Sequence, residues 1–289
     1  MSLLERLNRD GFVLVPKAFS GEQLETLRQA TQEVTAHARD GKWPDVRTLP
    51  KQFPPWTSTG PNPASDGIWG VQGVMHPDMP HHDVFIRTYF SDAIIEPTME
   101  LLQCKRQDLV LELFNLLVRP DRDFELRWHR DDIAATASSE EELERLNKPA
   151  FSAQWNLALY DDASLVVVPG SHRRARTETE RTADAWEVLP GQLIVKMEPG
   201  DIVFYNNNIL HRGVYDSRVE RMTLHGSAGH VDGAKLRARN VLQHGLRTWI
   251  NGLNFDALDG EGRALAEHMR ANLVKMGQEA GDVGYSLQE

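Results

Sequence analysis

The middle of the chain carries a series of short apolar runs, each ended by glycine, proline, asparagine or aspartate. Such runs, rich in β-branched and aromatic residues, predict strands, and turn residues at this frequency favour antiparallel sheets. Eight strands of this kind are typical of a double-sheet jelly roll. The eight runs are residues 111–118, 124–128, 151–160, 165–168, 193–196, 202–205, 211–215 and 220–226. The sequence therefore predicts a mainly β fold with a jelly-roll core over about residues 111–226.

The flanking regions have a different pattern. Residues 2–9 carry leucines at helical spacing and stop before Gly11, and Ser20 followed by Gln23 indicates a capping box at the start of a second helix. Residues 232–289 return to helix-like patterning. No repeat or linker divides the chain. We therefore predict one domain over residues 1–289, with helical cover and loops in residues 1–110 and a helical extension after the strands.

Residues 42–90 are rich in proline, glycine, tryptophan and histidine and have little periodicity, so we expect long loops there. Their aromatic side chains argue against disorder. We interpret these loops as a lid or pocket wall, and a packed Ω-loop is the alternative. The aromatic residues are Trp43, Phe53, Trp56 and Trp69.

The net charge of −10 disfavours nucleic acid and anionic membrane surfaces as partners, since both attract clustered lysine and arginine. No apolar stretch approaches the roughly 20 residues that span a bilayer, and the first residues lack the pattern of a signal peptide. The single cysteine, Cys104, allows no internal disulfide. We therefore expect a cytoplasmic protein that acts on a small molecule, and the sequence predicts no oligomeric state.

A His-x-Asp pair, His129 and Asp131, follows one of the predicted strands. Two residues that are two positions apart on an extended segment point to the same face, so both can bind one metal ion. The pattern occurs three more times, at residues 76–78, 81–83 and 230–232. The first two lie among prolines and the third follows the last strand, so only the pair at 129 and 131 has strand context.

A metal site of two histidines and one carboxylate needs a second histidine from a later strand, and His211 begins the seventh predicted strand. A turn centred on Asp216 would place His211 opposite Arg221, with Arg221 and Thr223 facing inward. A buried arginine beside a metal suits a carboxylate ligand. Alternatively, His211 is a core histidine and Arg221 pairs with a structural acid such as Asp216 or Glu220.

Taken together, these segments resemble the phytanoyl-CoA dioxygenase family of Fe(II)- and 2-oxoglutarate-dependent oxygenases, over residues from about 8 to 226. Beyond the pair at His129 and Asp131 and the later His211 and Arg221, the resemblance rests on three segments. They are residues 10–15 (DGFVLV), 167–172 (VVPGSH) and 199–204 (PGDIVF).

The resemblance implies a double-stranded β-helix, cupin-like in architecture, in which His129, Asp131 and His211 bind Fe(II). Arg221 would then bind the far carboxylate of 2-oxoglutarate, and O2 would be the second cosubstrate. The chain departs from the family pattern in two places. Gly213 stands where members often have a cosubstrate-binding serine, so Thr223 is expected to supply the hydroxyl. Residues 160–165 are shorter than the corresponding loop of the family.

The implied activity is oxidation, most simply hydroxylation, of a C–H bond in an apolar small molecule, with succinate and CO2 as coproducts. The carboxylate at Asp131 disfavours halogenation, because halogenating relatives carry a small residue there. Two alternatives remain. The chain could be a non-oxidative metal enzyme, such as a zinc or nickel hydrolase or isomerase, or a non-catalytic relative that binds a small molecule.

Overall fold

Seven α-helices lie in the part of the chain that the computed structural model describes, which is residues 1–49, 67–149, 151–184, 186–233, 237–238, 241–242, 246 and 249–280. Four of them precede the β core and one follows it. The helices are α1 (Leu3–Asp10), α2 (Gly21–Arg39), α3 (His82–Tyr89), α4 (Asp92–Leu102), α5 (Ser139–Leu146), α6 (Glu178–Thr182) and α7 (Gly260–Glu279).

Eleven strands of the described residues form two antiparallel sheets, a major sheet in the order β1-β9-β6-β11-β4-β3-β2 and a minor sheet in the order β5-β10-β7-β8. The strands are β1 (Phe12–Val15), β2 (Val46–Thr48), β3 (Ile68–Val71), β4 (Leu109–Val118), β5 (Phe124–Glu125), β6 (Ser152–Ala158), β7 (Leu165–Val167), β8 (Leu193–Ile194), β9 (Ile202–Tyr205), β10 (His211–Tyr215) and β11 (Met222–His230).

Strands β4 to β11 are the eight strands of the predicted core, and each sheet contains four of them. The chain crosses between the sheets along most of this run, since β4, β6, β9 and β11 belong to the major sheet and the others to the minor sheet. This arrangement is the double-stranded β-helix, so the predicted fold class is confirmed. Helices α1 to α4 and α7 flank it.

The major sheet extends beyond the predicted core because β1, β2 and β3 add to its two edges. Strands β2 and β3 and helix α3 lie within residues 42–90, where we expected long loops. Two strands of three and four residues are too short to produce a detectable period. The remaining predicted loop residues include Phe53 and Trp56, which lie outside the described residues.

The major sheet has one apolar and one polar face, as the alternation along β11 shows. Met222 and Leu224 belong to the main core, which also contains buried residues of α2, α3, α4 and α7. Thr223 and His225 occupy the alternate positions and face the minor sheet. The space between the sheets is therefore lined by polar side chains of β11, and this is where the site lies.

Local capping signals account for the ends of the first helices. The Ser2 side chain and Glu5 form a capping box at the start of α1, and Gly11 ends that helix at φ +84°. Ser20 precedes α2, but its side chain makes no cap hydrogen bond, so the expected box with Gln23 is absent. Pro97 lies inside α4 rather than in its first turn.

The predicted hairpin between His211 and Arg221 is wrong. Strand β10, which begins at His211, pairs with β5 and β7 in the minor sheet. Strand β11 pairs with β4 and β6 in the major sheet. The turn near Asp216 thus carries the chain from one sheet to the other, so His211 and Arg221 are not cross-strand neighbours in one ladder. The regular turn signal at Asp216 does not distinguish a hairpin from a crossing between sheets.

The C-terminal extension is joined to the β core by a buried ion pair. Arg237 binds Glu112 of β4 through Nε and Nη2, at 3.0 and 2.7 Å. Arg237 Nη2 also lies 3.2 Å from the hydroxyls of Ser152 and Ser227. These contacts tie residue 237 of the extension to the β core. No helix among the described residues is both long enough and apolar enough to cross a membrane.

Candidate metal centre

Three side chains converge near one end of the minor sheet. His129, Asp131 and His211 each offer a ligand atom within 4.8 Å of the other two. Asp131 Oδ1 lies 3.5 Å from Nε2 of His129 and 3.6 Å from Nε2 of His211. The two imidazole rings are 4.3 Å apart between centroids. The structure therefore brings together the three residues that the sequence predicted as metal ligands.

Backbone contacts fix which ring nitrogen each histidine presents. Nδ1 of His129 lies 2.9 Å from the carbonyl of Arg127, and Nδ1 of His211 lies 2.8 Å from that of Ile209. A carbonyl only accepts, so Nδ1 carries the proton in both rings and the Nε2 lone pair is available to a metal. Both rings bond to the residue two positions earlier, which gives the two ligands the same local geometry.

Asp131 is also held in place on both sides. Its backbone N–H donates to the carbonyl of Asn207 at 2.9 Å. Gln154 on β6 donates from Nε2 to Asp131 Oδ2 at 3.0 Å. This amide occupies the oxygen that faces away from the histidines, so Oδ1 is the atom directed at the centre. Gln154 was not predicted from the sequence, because no local motif marks an outer partner of a metal ligand.

The electrostatics favour the metal-binding protonation states of His129 and Asp131. Burial lowers the pKa of His129, and the neighbouring His211 lowers it further, which favours the neutral imidazole. Burial alone would raise the pKa of Asp131, but His211 and His129 outweigh burial and hold it below its usual value. A neutral pair of imidazoles with one carboxylate is the donor set of a facial-triad Fe(II) site. The chemistry of these donors fits that metal.

Two of the other three His-x-Asp pairs, at residues 76–78 and 230–232, make a different local contact. Nδ1 of His76 accepts a hydrogen bond from the backbone N–H of Asp78, and Nδ1 of His230 accepts one from that of Asp232, both at 3.0 Å. Their carboxylates are highly exposed. Each ring therefore uses a nitrogen to close a turn within its own motif. Only the pair at 129 and 131 meets a third ligand among the described residues.

Arg221 lies between the sheets, next to an acid that the sequence analysis missed. Its Nε donates to Asp162 Oδ2 at 3.0 Å, and both side chains are at least 92% buried. The hydroxyl of Thr223 donates to the same oxygen. Arg221 Nη1 is buried and has no hydrogen-bond partner among the described residues. The acids that we considered as structural partners of Arg221 make other contacts. Asp216 binds Arg218, and Glu220 accepts a hydrogen bond from the backbone N–H of Arg221.

Gly213 makes room for an aromatic ring beside that arginine. A Cβ at Gly213 would lie 2.6 Å from the Tyr215 hydroxyl and 2.7 Å from its ring carbon Cε2. The Arg221 guanidinium lies over the same ring, 4.4 Å from its centroid. A serine at position 213 would therefore displace the tyrosine that supports Arg221. The departure from the family pattern at this position has a steric reason.

Polar groups continue along the inner face of the major sheet. His225 Nδ1 contacts Asn156 Oδ1 at 2.8 Å, and burial lowers the pKa of His225 to about 3, so it stays neutral. Asn115 is opposite His225 on β4. Asn115 Nδ2 and Gln72 Oε1 are buried and have no hydrogen-bond partner among the described residues. By contrast, Trp155 lies in the main core on the other face of the sheet.

A surface cleft of about 700 Å³ lies beside the far end of the minor sheet. Tyr215 forms part of its wall, so the cleft reaches the ring that supports Arg221. None of the three metal-site residues lines it. We therefore assign the chemistry to the His-Asp-His cluster, where the donors converge, rather than to this cleft.

The fold and the site together define the class, a double-stranded β-helix protein with a His-Asp-His metal centre. The sequence matches the phytanoyl-CoA dioxygenase (PhyH) family over residues 7–214. The chain belongs to that family and is accordingly an Fe(II)- and 2-oxoglutarate-dependent oxygenase in type. No curated protein sequence matches it.

Solved structures of low sequence identity share the fold. AviO1 from Streptomyces viridochromogenes Tue57 is 17% identical with a TM-score of 0.56, and the alignment covers 78% of this chain and 93% of that protein. EctD from S. alaskensis, solved with 2-oxoglutarate and 5-hydroxyectoine, is 17% identical with a TM-score of 0.56 and coverages of 79% and 75%. The epimerase SnoN from nogalamycin biosynthesis is 19% identical with a TM-score of 0.53 and coverages of 79% and 81%.

Proposed function

We propose that this chain is an oxygenase that uses Fe(II), 2-oxoglutarate and O2 to hydroxylate a C–H bond of a small molecule, with succinate and CO2 as coproducts. The observation that carries the proposal is the convergence of His129, Asp131 and His211, whose ligand atoms lie within 4.8 Å of one another. Three ligands on one side leave the remaining coordination positions to cosubstrate and oxygen. The EctD structure that contains 2-oxoglutarate supports the choice of cosubstrate.

The residues of the chain have separate tasks in this proposal. His129, Asp131 and His211 hold the metal, and Gln154 keeps Asp131 oriented. Arg221 binds the far carboxylate of 2-oxoglutarate, for which its unpartnered Nη1 is the available donor. Thr223 lies beside Arg221, and its hydroxyl donates a hydrogen bond to Asp162. When bound, the iron and the 2-oxo acid supply the activation of O2, while the protein positions the substrate and excludes water.

We also propose that the substrate is an apolar small molecule rather than a nucleic acid or a membrane component. An aromatic and aliphatic cluster between the sheets supports it, comprising Trp69, Leu117, Leu126 and Tyr215. The net charge of −10 argues against a polyanionic partner.

Two measurements test the proposal. Anaerobic addition of Fe(II) and then 2-oxoglutarate should give the weak visible absorption band of the chelate, and admission of O2 should then release succinate. A Zn(II) or Ni(II) hydrolase would give neither signal. Product mass then separates the outcomes, because hydroxylation adds one oxygen atom, whereas an epimerisation such as that named for SnoN leaves the mass unchanged. Absence of both the band and the succinate would refute the oxygenase assignment.

A further inference from the structure

The carboxylate of Asp162 is saturated with hydrogen bonds in the interior. Oδ1 accepts from the backbone N–H of Ser164 at 2.7 Å and from its hydroxyl at 2.6 Å. Oδ2 accepts from Arg221 Nε at 3.0 Å and from the Thr223 hydroxyl. The backbone of Asp162 forms a two-way bridge with Met197, at 2.9 and 3.0 Å. Both the side chain and the main chain of this residue are therefore fixed.

Asp162 is ionised despite its burial. Burial would raise the pKa of Asp162, but the Arg221 charge and the bonds from Ser164 and Thr223 outweigh burial and lower it. Arg221 also remains charged, because Asp162 raises its pKa against the effect of burial. The pair therefore carries no net charge. A far carboxylate at Arg221 would be the second anion on one guanidinium, a few ångströms from the first.

A buried guanidinium with no counter-ion would bind the carboxylate of a dicarboxylate very tightly. The Asp162 carboxylate opposes that binding, because like charges at short range in the interior repel each other strongly. The cosubstrate and its product, succinate, both keep the same far carboxylate. A contact that strengthens the binding of 2-oxoglutarate at Arg221 therefore also strengthens the binding of succinate. An enzyme that must exchange succinate for new 2-oxoglutarate in each cycle gains from a moderate affinity for the far carboxylate.

We propose that Asp162 is a specificity-determining residue that weakens the hold of Arg221 on the far carboxylate, so that cosubstrate binds and succinate leaves readily. This inference rests on the proposed function. Asp162 acts in two ways: its charge offsets that of Arg221, and it occupies Nε and the Thr223 hydroxyl. Arg221 Nη1 then has no hydrogen-bond partner among the described residues, so it is a donor for the far carboxylate.

The decisive variant is Asp162→Asn in the full chain, because the amide keeps the size of the side chain and removes its charge. Calorimetric binding to the Mn(II)-loaded protein without O2 measures affinity separately from turnover. We expect the variant to bind 2-oxoglutarate about tenfold more tightly or better, and succinate to compete with 2-oxoglutarate at a concentration lower by a similar factor. Glu220→Gln is the matched control, since it removes the same charge beside Arg221 from a half-exposed side chain. It should change neither affinity.

Affinity in Asp162→Asn that equals or falls below wild type would overturn the inference and assign Asp162 a structural role. Wild-type protein that binds no 2-oxoglutarate at all would refute the proposed function itself, and the inference with it. The two failures are thus distinguishable by the wild-type titration alone.

A second measurement needs no variant and remains informative if Asp162→Asn does not fold. Wild-type affinity for 2-oxoglutarate is compared with that for its 5-amide, 2-oxoglutaramate, which lacks the far charge. Because Asp162 already compensates the charge of Arg221, the protein should bind 2-oxoglutarate less than about a hundredfold more tightly than the amide. Sites in which the wrong ligand leaves a buried polar group unpaired discriminate against that ligand by about 10⁴ or more. A preference above a hundredfold would contradict the inference.

Discussion

The two histidines of the metal centre are hydrogen-bonded to each other through their main chains in both directions. His129 N–H donates to the carbonyl of His211 at 3.0 Å, and His211 N–H donates to that of His129 at 3.1 Å. They form an isolated antiparallel bridge next to β10. The main-chain position of one histidine relative to the other is thus set by backbone pairing.

Each of the three ligands should be needed for metal binding, while the fold should survive their loss. Replacement of His129, Asp131 or His211 by alanine should reduce Mn(II) binding, measured anaerobically by calorimetry, to below detection and abolish succinate formation. His268→Gln is the control, because His268 is an exposed residue of α7 that contacts the carbonyl of Gln107. Retention of stoichiometric metal by two of the three variants would refute the assigned site.

Gln154 should tune the metal centre without being a ligand. Gln154→Met removes the donor to Asp131 Oδ2 and keeps a similar volume. Loss of an outer partner of a metal ligand typically lowers metal affinity by about 10- to 100-fold, and we expect that range here. The Mn(II) dissociation constant measures it. An unchanged constant would show that Asp131 is oriented by its backbone bond to Asn207 alone.

Arg221→Gln should raise the 2-oxoglutarate concentration needed for half-maximal turnover by more than tenfold, with a smaller effect on the maximal rate. The single variant also leaves Asp162 buried without its counter-ion, which typically costs about 3–5 kcal/mol of unfolding free energy. The double variant Arg221→Gln with Asp162→Asn should regain much of that stability and keep the binding defect. Denaturant unfolding and the 2-oxoglutarate dependence of succinate release measure the two effects. An unaltered requirement for 2-oxoglutarate would remove Arg221 from its role.

Cys104 should react slowly with alkylating reagents. Burial, together with the nearby charge of Asp108, raises the pKa of its thiol to about 11. The thiolate is the reactive form, so at pH 7.5 it is on the order of a hundredfold scarcer than in a free thiol with its usual pKa of about 8.5. The iodoacetamide rate should keep rising as the pH increases beyond 9. A plateau below pH 9 would contradict this expectation.

The ion pair between Glu112 and Arg237 should contribute to the stability of the whole domain. Arg237→Met leaves Glu112 buried and unpaired, at an expected cost of about 3–5 kcal/mol in the free energy of unfolding. Replacing both residues, as Glu112→Gln with Arg237→Met, should cost less than the sum of the single changes. Urea unfolding of the four proteins gives the coupling energy. Strict additivity would indicate that the two side chains act independently.

The three residues of the candidate metal centre could be singled out from the sequence because each has a local signature. His129 and Asp131 are two residues apart after a strand, and His211 begins a strand of its own. Asp162 and Gln154 have no such signature, since their partners Arg221 and Asp131 are distant in the sequence and meet them only after the sheets form. The eight strands of the core were predictable because turn residues mark their ends locally in the sequence. The hairpin error arose because a turn does not reveal which sheet receives the next strand.

The pairing of β4 with β11 has a consequence for how the protein is made. These strands are more than a hundred residues apart in the chain, as the ladder from Leu109–His230 to Val118–Met222 shows. Non-local pairing of this kind forms late because the intervening loop must first be closed. During synthesis, the N-terminal helices can emerge long before His211 does. A nascent chain therefore cannot assemble the His-Asp-His cluster until His211, and with it about three-quarters of these 289 residues, has left the ribosome.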